Sequence, residues 1–310
     1  MAERLCPPSQ NDAAGLKFGQ VPFELLRDFL IHLNDKNSQN LRSLSECVCD
    51  LKHGRVVEDI FMITRVLGLD PLAGYHAIAL LQRFMVKHLT DLLSTPTPQG
   101  GAAQQPTTSA DLIFDKLKDR FPLAVFSCVQ LASKLFLYSH IVDNQRAVSF
   151  LDSVGHSVSK QALLESELMV LKGLEFRLDV PNPLMYVETL LEVLGHNEPS
   201  VPVEHLHQLC RDVLQFISLQ RTAIYDSLLM MTTQCGSPSR KQREKFVAVT
   251  EDCMLLGVGV IAVAAFIFCV STCRQVIQEL SNVTGISRKS ICDFAFVTLM
   301  HICDTAPPAV

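Results

Sequence analysis

Three features of the 310-residue sequence predict an all-α fold. Apolar residues recur at spacings of three and four through most segments, and the strict alternation of a half-buried strand is scarce. Prolines, glycines and short polar runs punctuate these segments at helix-like intervals. Two stretches, Phe121–Leu137 and Cys253–Cys273, are apolar or small on nearly every face and lie about 130 residues apart. A helix apolar all round belongs inside a bundle, wrapped by other helices.

The composition supports a large interior. Hydrophobic residues make up 48% of the chain and mean hydropathy is +0.23, while the length suits two ordinary domains. A formal charge of −5 and a pI near 6.1 give no broad electrostatic case for nucleic acid or an anionic membrane, and neither is expected as a direct partner. The N-terminal run MAERLCPPSQNDAAG has no basic segment followed by an apolar core, so a secretory signal is not expected. The eleven cysteines then read as free thiols of a reducing compartment. Cys47-x-Cys49 and Cys269-x3-Cys273 lack the second pair that a zinc site needs.

Taken in order, residues 1–20 read as a loose polar tail. Phe23–Leu33 is a short amphipathic helix with Phe23, Leu26, Phe29, Leu30 and Leu33 on one stripe. The polar run DKNSQN interrupts, a helix over Leu41–Leu51 follows, and Gly54 resets the chain. Arg55–Leu67 points Val56, Ile60, Ile63 and Leu67 inward, and Asp70-Pro71 punctuates. Leu72–Leu93 is a long helix whose stripe includes Ile78, Leu81, Phe84, Met85 and Leu89. The stretch Ser94–Ser109, STPTPQGGAAQQPTTS, is a low-complexity loop that cannot bury enough apolar surface to fold alone. Thr95-Pro96 and Thr97-Pro98 within it are minimal sites for a proline-directed kinase.

Leu112–Phe121 is an amphipathic lead-in to the first apolar helix, which is entered through Pro122 in its first turn. Gln130, Ser133 and Lys134 are the polar interruptions of that helix. A buried, unpaired ammonium is costly, so Lys134 needs an exit to solvent or an acidic partner. Gln145–Val154 and Ser159–Leu174 follow, with Asn144 and Ser159 as N-caps and Gly155 as a C-terminal stop. In the second of these, Leu164, Leu168 and Leu171 form the inward stripe, away from Glu165 and Glu167.

Asp179-Val-Pro181-Asn-Pro183 is the clearest boundary, because each proline restricts the residue before it to extended geometry. Helices resume over Pro183–Leu194, Pro202–Leu219, Thr222–Met231, Phe246–Val270, Thr272–Asn282 and Ser287–Ile302. Thr232–Lys245 between them is a polar loop carrying Ser237-Pro238, a further proline-directed site. Its cluster Arg240, Lys241, Arg243 and Lys245 reads either as solvated loop charge or as a nuclear-import signal. The uncharged run Cys253–Cys273 is long enough to span a bilayer. Its small residues, and its likeness in position to the first apolar helix, favour burial inside a bundle. A membrane-anchored helical protein is the alternative.

Local motifs carry a resemblance. LLQRFM at Leu80–Met85, VQLASKL at Val129–Leu135 and LLESELMVLKGLEFRLDVPNP at Leu163–Pro183 resemble, in order and spacing, the second, third and fifth helices of a cyclin box. The second half is similar to the degenerate second box of cyclins, chiefly through VGVIAVAAF. The resemblance implies tandem cyclin-box helical bundles. The expected organisation is a tail (1–20), an N-terminal helical segment (21–53), a first box (54–180) with an insert at 94–109, a second box (181–304) and a tail (305–310).

Further runs, QRFMVK, SCVQLASKL, LLESEL, YVETLLEVLG and EDCMLLGVGVIA, resemble a meiotic branch of the cyclin family. That resemblance implies a non-catalytic adaptor needing no cofactor, located in the nucleus on meiotic chromosomes and also in the cytoplasm. It also implies a role in maturing recombination intermediates into crossovers, with a cyclin-dependent kinase and crossover-promoting factors as partners. In cyclins, the lysine of the third-helix motif and the glutamate of the fifth helix contact the kinase, and their matches are Lys134 and Glu167. An intrachain salt bridge closing the end of the buried helix is the other reading of this pair. After the lysine, cyclins commonly continue with acidic residues. Here Leu135-Phe136-Leu137-Tyr138 follows, an apolar run in which Phe136 and Tyr138 could serve a helical partner.

No enzyme site is expected. His205-x-His207 diverge by about 200° on a helix and read as surface or capping residues. Gly257-x-Gly259 lies inside an apolar helix without a preceding strand, which is a packing feature.

Overall fold

A computed structural model describes residues 17–42, 54–94, 109–136, 142–179 and 182–305. The expected helix over Leu41–Leu51, the Thr95 and Thr97 loop and both outer tails fall wholly or largely outside these residues. Thirteen α-helices and no strand occur among the described residues. A first bundle comprises α2 (Gly54–Val66), α3 (Pro71–Ser94), α4 (Ser109–Phe136), α5 (Asn144–Ser153) and α6 (Lys160–Gly173). Helix α4 is its centre, flanked by α2, α3 and α6, and Val125 to Ser133 are buried without interruption.

A second bundle comprises α7 (Pro183–Asn197), α8 (Val203–Leu219), α9 (Arg221–Thr233), α10 (Arg240–Thr250), α11 (Cys253–Phe268), α12 (Val270–Thr284) and α13 (Arg288–Thr305). Its centre is α11, surrounded by α7, α8, α12 and α13. Glycines let those neighbours approach. A Cβ on Gly259 would stand 2.3 Å from the Phe294 ring, and one on Gly257 would stand 3.1 Å from Leu190. Between the bundles, Val57, Phe61 and Tyr75 of the first join the core of the second. At the rim, Arg211 donates to both carboxylate oxygens of Asp70, at 3.1 and 3.2 Å.

The N-terminal helix α1 (Phe23–Arg42) packs on α7 and α11 of the second bundle. It runs through DKNSQN, the expected break, because Asn37 has work inside. The Asn37 side chain donates to Asp252 Oδ1 (2.9 Å) and accepts from the Cys253 amide (3.0 Å). Only Leu26, Leu33 and Asn37 are buried, while Phe23 and Phe29 of the expected stripe are exposed. Residues 17–20, expected in the loose tail, are strapped down. The amides of Gly19, Gln20 and Val21 all donate to the Glu192 carboxylate, at 2.9, 2.7 and 2.7 Å. Gly19 adopts φ +75 against the backbone of Gly195, a conformation and a clearance that favour glycine.

Other boundaries shift for local reasons. Helix α4 starts at Ser109, so Pro122 lies in its interior rather than its first turn. The amphipathic lead-in continues the helix, at the cost of one backbone hydrogen bond. Asp143, not Asn144, caps α5 by accepting from the Arg146 amide (2.8 Å), and Asn144 instead accepts from Gln130 (2.9 Å). Ser159 caps α6 as expected, and Gly155 takes φ +84 just past α5.

The expected helix Phe246–Val270 is two helices meeting at 74°. Asp252 starts the second by accepting from the amides of Met254 and Leu255. The basic cluster sits on α10, not in a loop, because Ser239 and Gln242 form a capping box. No single described helix is long and apolar enough to cross a membrane, although α10 and α11 together have that composition. Helix α11 stops at Phe268, and Leu256 to Ala265 are buried.

Candidate functional site

The end of α4 is built by its polar interruptions. Gln130 and Ser133 are fully buried and hold the returning chain. Gln130 donates to Val142 O (3.2 Å) and to Asn144, and Ser133 Oγ lies 3.4 Å from the Val142 amide. Ser127 Oγ donates to Ser166 Oγ at 2.9 Å, which locks α4 to α6. These contacts place Lys134 at the rim, where its ammonium donates to Glu167 Oε1. The Lys134 side chain is 36% exposed and that of Glu167 only 10%. The structure therefore brings together the two residues singled out from the sequence.

Helix α6 is turned about one position from the expected face. Leu163, Ser166, Glu167 and Val170 are buried, whereas Leu164 and Leu168 are exposed. Both faces of QALLESELMVLKGL satisfy helical spacing, and choosing the more leucine-rich one selects the wrong one. The consequence is chemical. Glu167 presents one carboxylate edge from a largely buried position, and Leu135, Leu164 and Leu168 supply exposed apolar surface on the same two helices. An ion pair at the edge of an apolar surface can orient a partner helix, with the leucines supplying affinity. Phe136 ends α4 with its side chain outside the described residues, and Tyr138 lies outside them altogether. Ser237 is exposed between α9 and α10, followed by a buried Pro238.

Sequence reasoning also missed the exit from α6. Glu175 and Phe176 take left-handed φ values of +53 and +58, and Phe176 remains 62% exposed. Such backbone is costly for non-glycine residues and persists only where neighbours enforce it. Lys87 pairs with Glu175, and Arg83 donates to Arg177 O (3.1 Å). The Lys87 hydrogen bond, chiefly, holds the Glu175 carboxyl below the usual carboxylate range.

His76 of α3 ties the same exit through Nε2 and Leu178 O (3.1 Å). Burial lowers its pKa from 6.5 to about 4. The unfolded chain therefore binds the extra proton first as pH falls from about 6.5 towards 4, and stability falls with it. Between about pH 7 and pH 5 this group alone is expected to cost about 2 kcal/mol. Urea titrations at both pH values should show that loss reduced in His76→Gln. An equal pH dependence in the variant would contradict it.

The histidines of α8 separate. His207, read from the sequence as a surface or capping residue, is buried with Nε2 3.0 Å from Glu188 Oε1 and its ring against Phe18. Burial pushes the Cys210 thiol pKa up. No group of three or more metal-ligating side chains forms among the described residues.

Two successive helical bundles, each closed round one buried helix, with a lysine–glutamate pair at the end of the first, define a cyclin-like protein. No protein-family model matches the chain. It is 38% identical over 294 residues to human cyclin N-terminal domain-containing protein 1, covering 95% of this chain and 89% of the human one. The mouse protein of that name is also 38% identical over 294 residues, covering 95% of this chain and 88% of its own length. The chain belongs to the cyclin N-terminal domain-containing protein 1 family.

Proposed function

We propose that this cyclin-like chain is a non-catalytic adaptor of meiotic recombination. In this reading it binds a cyclin-dependent kinase through Lys134, Glu167 and the leucines beside them. It works in the nucleus, on meiotic chromosomes, with crossover-promoting factors, to mature recombination intermediates into crossovers. Family membership supports the meiotic role through the resemblance of the sequence to that branch of cyclins. The observation that carries the binding site is the half-exposed Lys134, paired to Glu167 beside exposed Leu135 and Leu168.

Partners captured from meiotic tissue should be compared for wild type, Lys134→Glu, and Lys134→Glu combined with Glu167→Lys. The double swap rebuilds the ion pair with its sense reversed. Loss of the kinase from both variants, with the double variant melting near wild type, is the expected outcome. A double variant that regains both stability and every partner would reduce the pair to an intrachain brace.

A further inference from the structure

Between α9 and α10 stands a serine whose hydroxyl is free. Ser237 is exposed in the irregular stretch 235–239, and neither its Oγ nor its amide makes a hydrogen bond among the described residues. Gly236 beside it has open space where a side chain would be, so the approach is clear. Pro238 follows, the residue that a proline-directed kinase requires after its acceptor. Arg240, two residues past the proline, offers such an enzyme a cation on a side chain that is 94% exposed. Ser239 is no substitute. Its hydroxyl caps α10 by accepting from the Gln242 amide, and arginine rather than proline comes next.

Pro238 is buried, so a kinase can read the pair only when the loop lifts. The helix behind it permits that. Helix α10 buries no residue and rests on the core of the second bundle through half-buried Phe246 and Val249. Elements with so little buried surface open locally at small free-energy cost.

The same helix carries its charge the wrong way round. A helix N-terminus favours anions, yet α10 opens Arg240-Lys241-Gln242-Arg243 with no acidic residue in its first turn. Its internal ion pair, Arg240 Nε to Glu244 Oε1 at 2.8 Å, sets the cation N-terminal to the anion, the weaker sense for such pairs. Arg243 pairs with Asp226 of α9, whereas Lys241 is exposed and makes no ion pair among the described residues. An anion arriving two residues before the cap would meet cations that α10 itself leaves poorly matched.

We propose that Ser237 is the acceptor of a proline-directed protein kinase, and that Arg240 and Lys241 then hold its phosphate and tighten α10 on the bundle. In the transfer, Ser237 Oγ bonds to the γ-phosphorus of ATP and the bond from that phosphorus to the bridging oxygen breaks. ADP leaves, and the hydroxyl proton passes to the kinase's base. The new group brings a charge of about −1.5 to −2 and three acceptor oxygens to a turn whose own charges are all positive. The inference is independent of the kinase-binding surface, because it concerns the other bundle and any kinase of this specificity.

The purified full chain carrying Thr95→Ala and Thr97→Ala, which removes the two other Ser/Thr-Pro pairs of the sequence, tests it on incubation with a proline-directed kinase and ATP. Peptide mapping should place the phosphate on Ser237 and find none there in Pro238→Ala. Phosphorylation should slow amide exchange across α10 about two- to fivefold, the effect of an anion at a helix N-terminus, and leave α11 unchanged. Phosphorus NMR should show the second phosphate pKa below its free value of about 6, because the flanking cations favour the dianion. Arg240→Gln combined with Lys241→Gln should return that pKa to its free value and abolish the added protection. A chain that stays unmodified at Ser237 would overturn the proposal, as would a modified chain whose α10 exchanges as fast as before or faster.

Discussion

Replacing Gly259 with alanine is expected to destabilise the chain by about 3 kcal/mol, the upper range for overpacking a core. The added Cβ would sit 2.3 Å from Phe294 Cδ1 and 2.7 Å from Cε1. The ring has little room to retreat, because Phe294 is fully buried and stacks edge-on with Tyr225 at 5.7 Å. Combining Gly259→Ala with Phe294→Leu should recover part of the loss, since the smaller side chain makes room. Gly257→Ala is the internal comparison. Its Cβ meets Leu190 Cδ1 at 3.1 Å, the end of a side chain that can adjust, so a cost near 1 kcal/mol is expected. Urea midpoints for the four proteins test the ranking, and equal effects at Gly257 and Gly259 would refute the close packing of α11 on α13.

Glu192→Ala should release the N-terminal strap and cost about 2–3 kcal/mol. Three backbone amides lose a charged acceptor, and each such bond is worth about 1.5–3 kcal/mol when the partners stay buried. The net figure is smaller than their sum because the freed amides gain water. Hydrogen exchange at Gly19, Gln20 and Val21 should accelerate far more than in α11, whose opening follows global unfolding. Glu192→Gln keeps a carbonyl acceptor and should fall between. Unchanged exchange at Gly19–Val21 in the alanine variant would show that the strap is held by something else, such as the His196 contact to Val21 O.

Much of this was legible in the sequence. The all-helical class and the two central helices followed from apolar periodicity, while Lys134 and Glu167 were singled out by the resemblance to cyclins, with an intrachain bridge as one of two readings. The misreadings share a cause, which is that local pattern does not know which neighbour will arrive. Leu164 and Leu168 looked like core because leucine usually is, yet Ser166 and Glu167 face inward to meet Ser127 and Lys134. DKNSQN looked like a break because Asn37 is polar, yet its partners Asp252 and Cys253 lie more than two hundred residues away. The strap was invisible for the same reason. Gly19 to Val21 carry no sign that Glu192 will collect their amides. Cys253–Cys273 read as one apolar run, and only the geometry at Cys269 ends α11 and opens α12.

The same strap dictates an order of events on the ribosome. Residues 19–42 are made before either bundle, whereas Glu192, Tyr186 and Asp252, to which they bond, come 153 to 215 residues later. The first bundle can close while the nascent chain still lacks its second half, since among the described residues its own core runs from Val56 to Leu178. Until α7 and α11 appear, α1 has no surface to bury Leu26 and Leu33 and must wait with its apolar side chains in reach of any chaperone. This helix, made before both bundles, is therefore among the last to settle, and its docking reports that synthesis has passed α11.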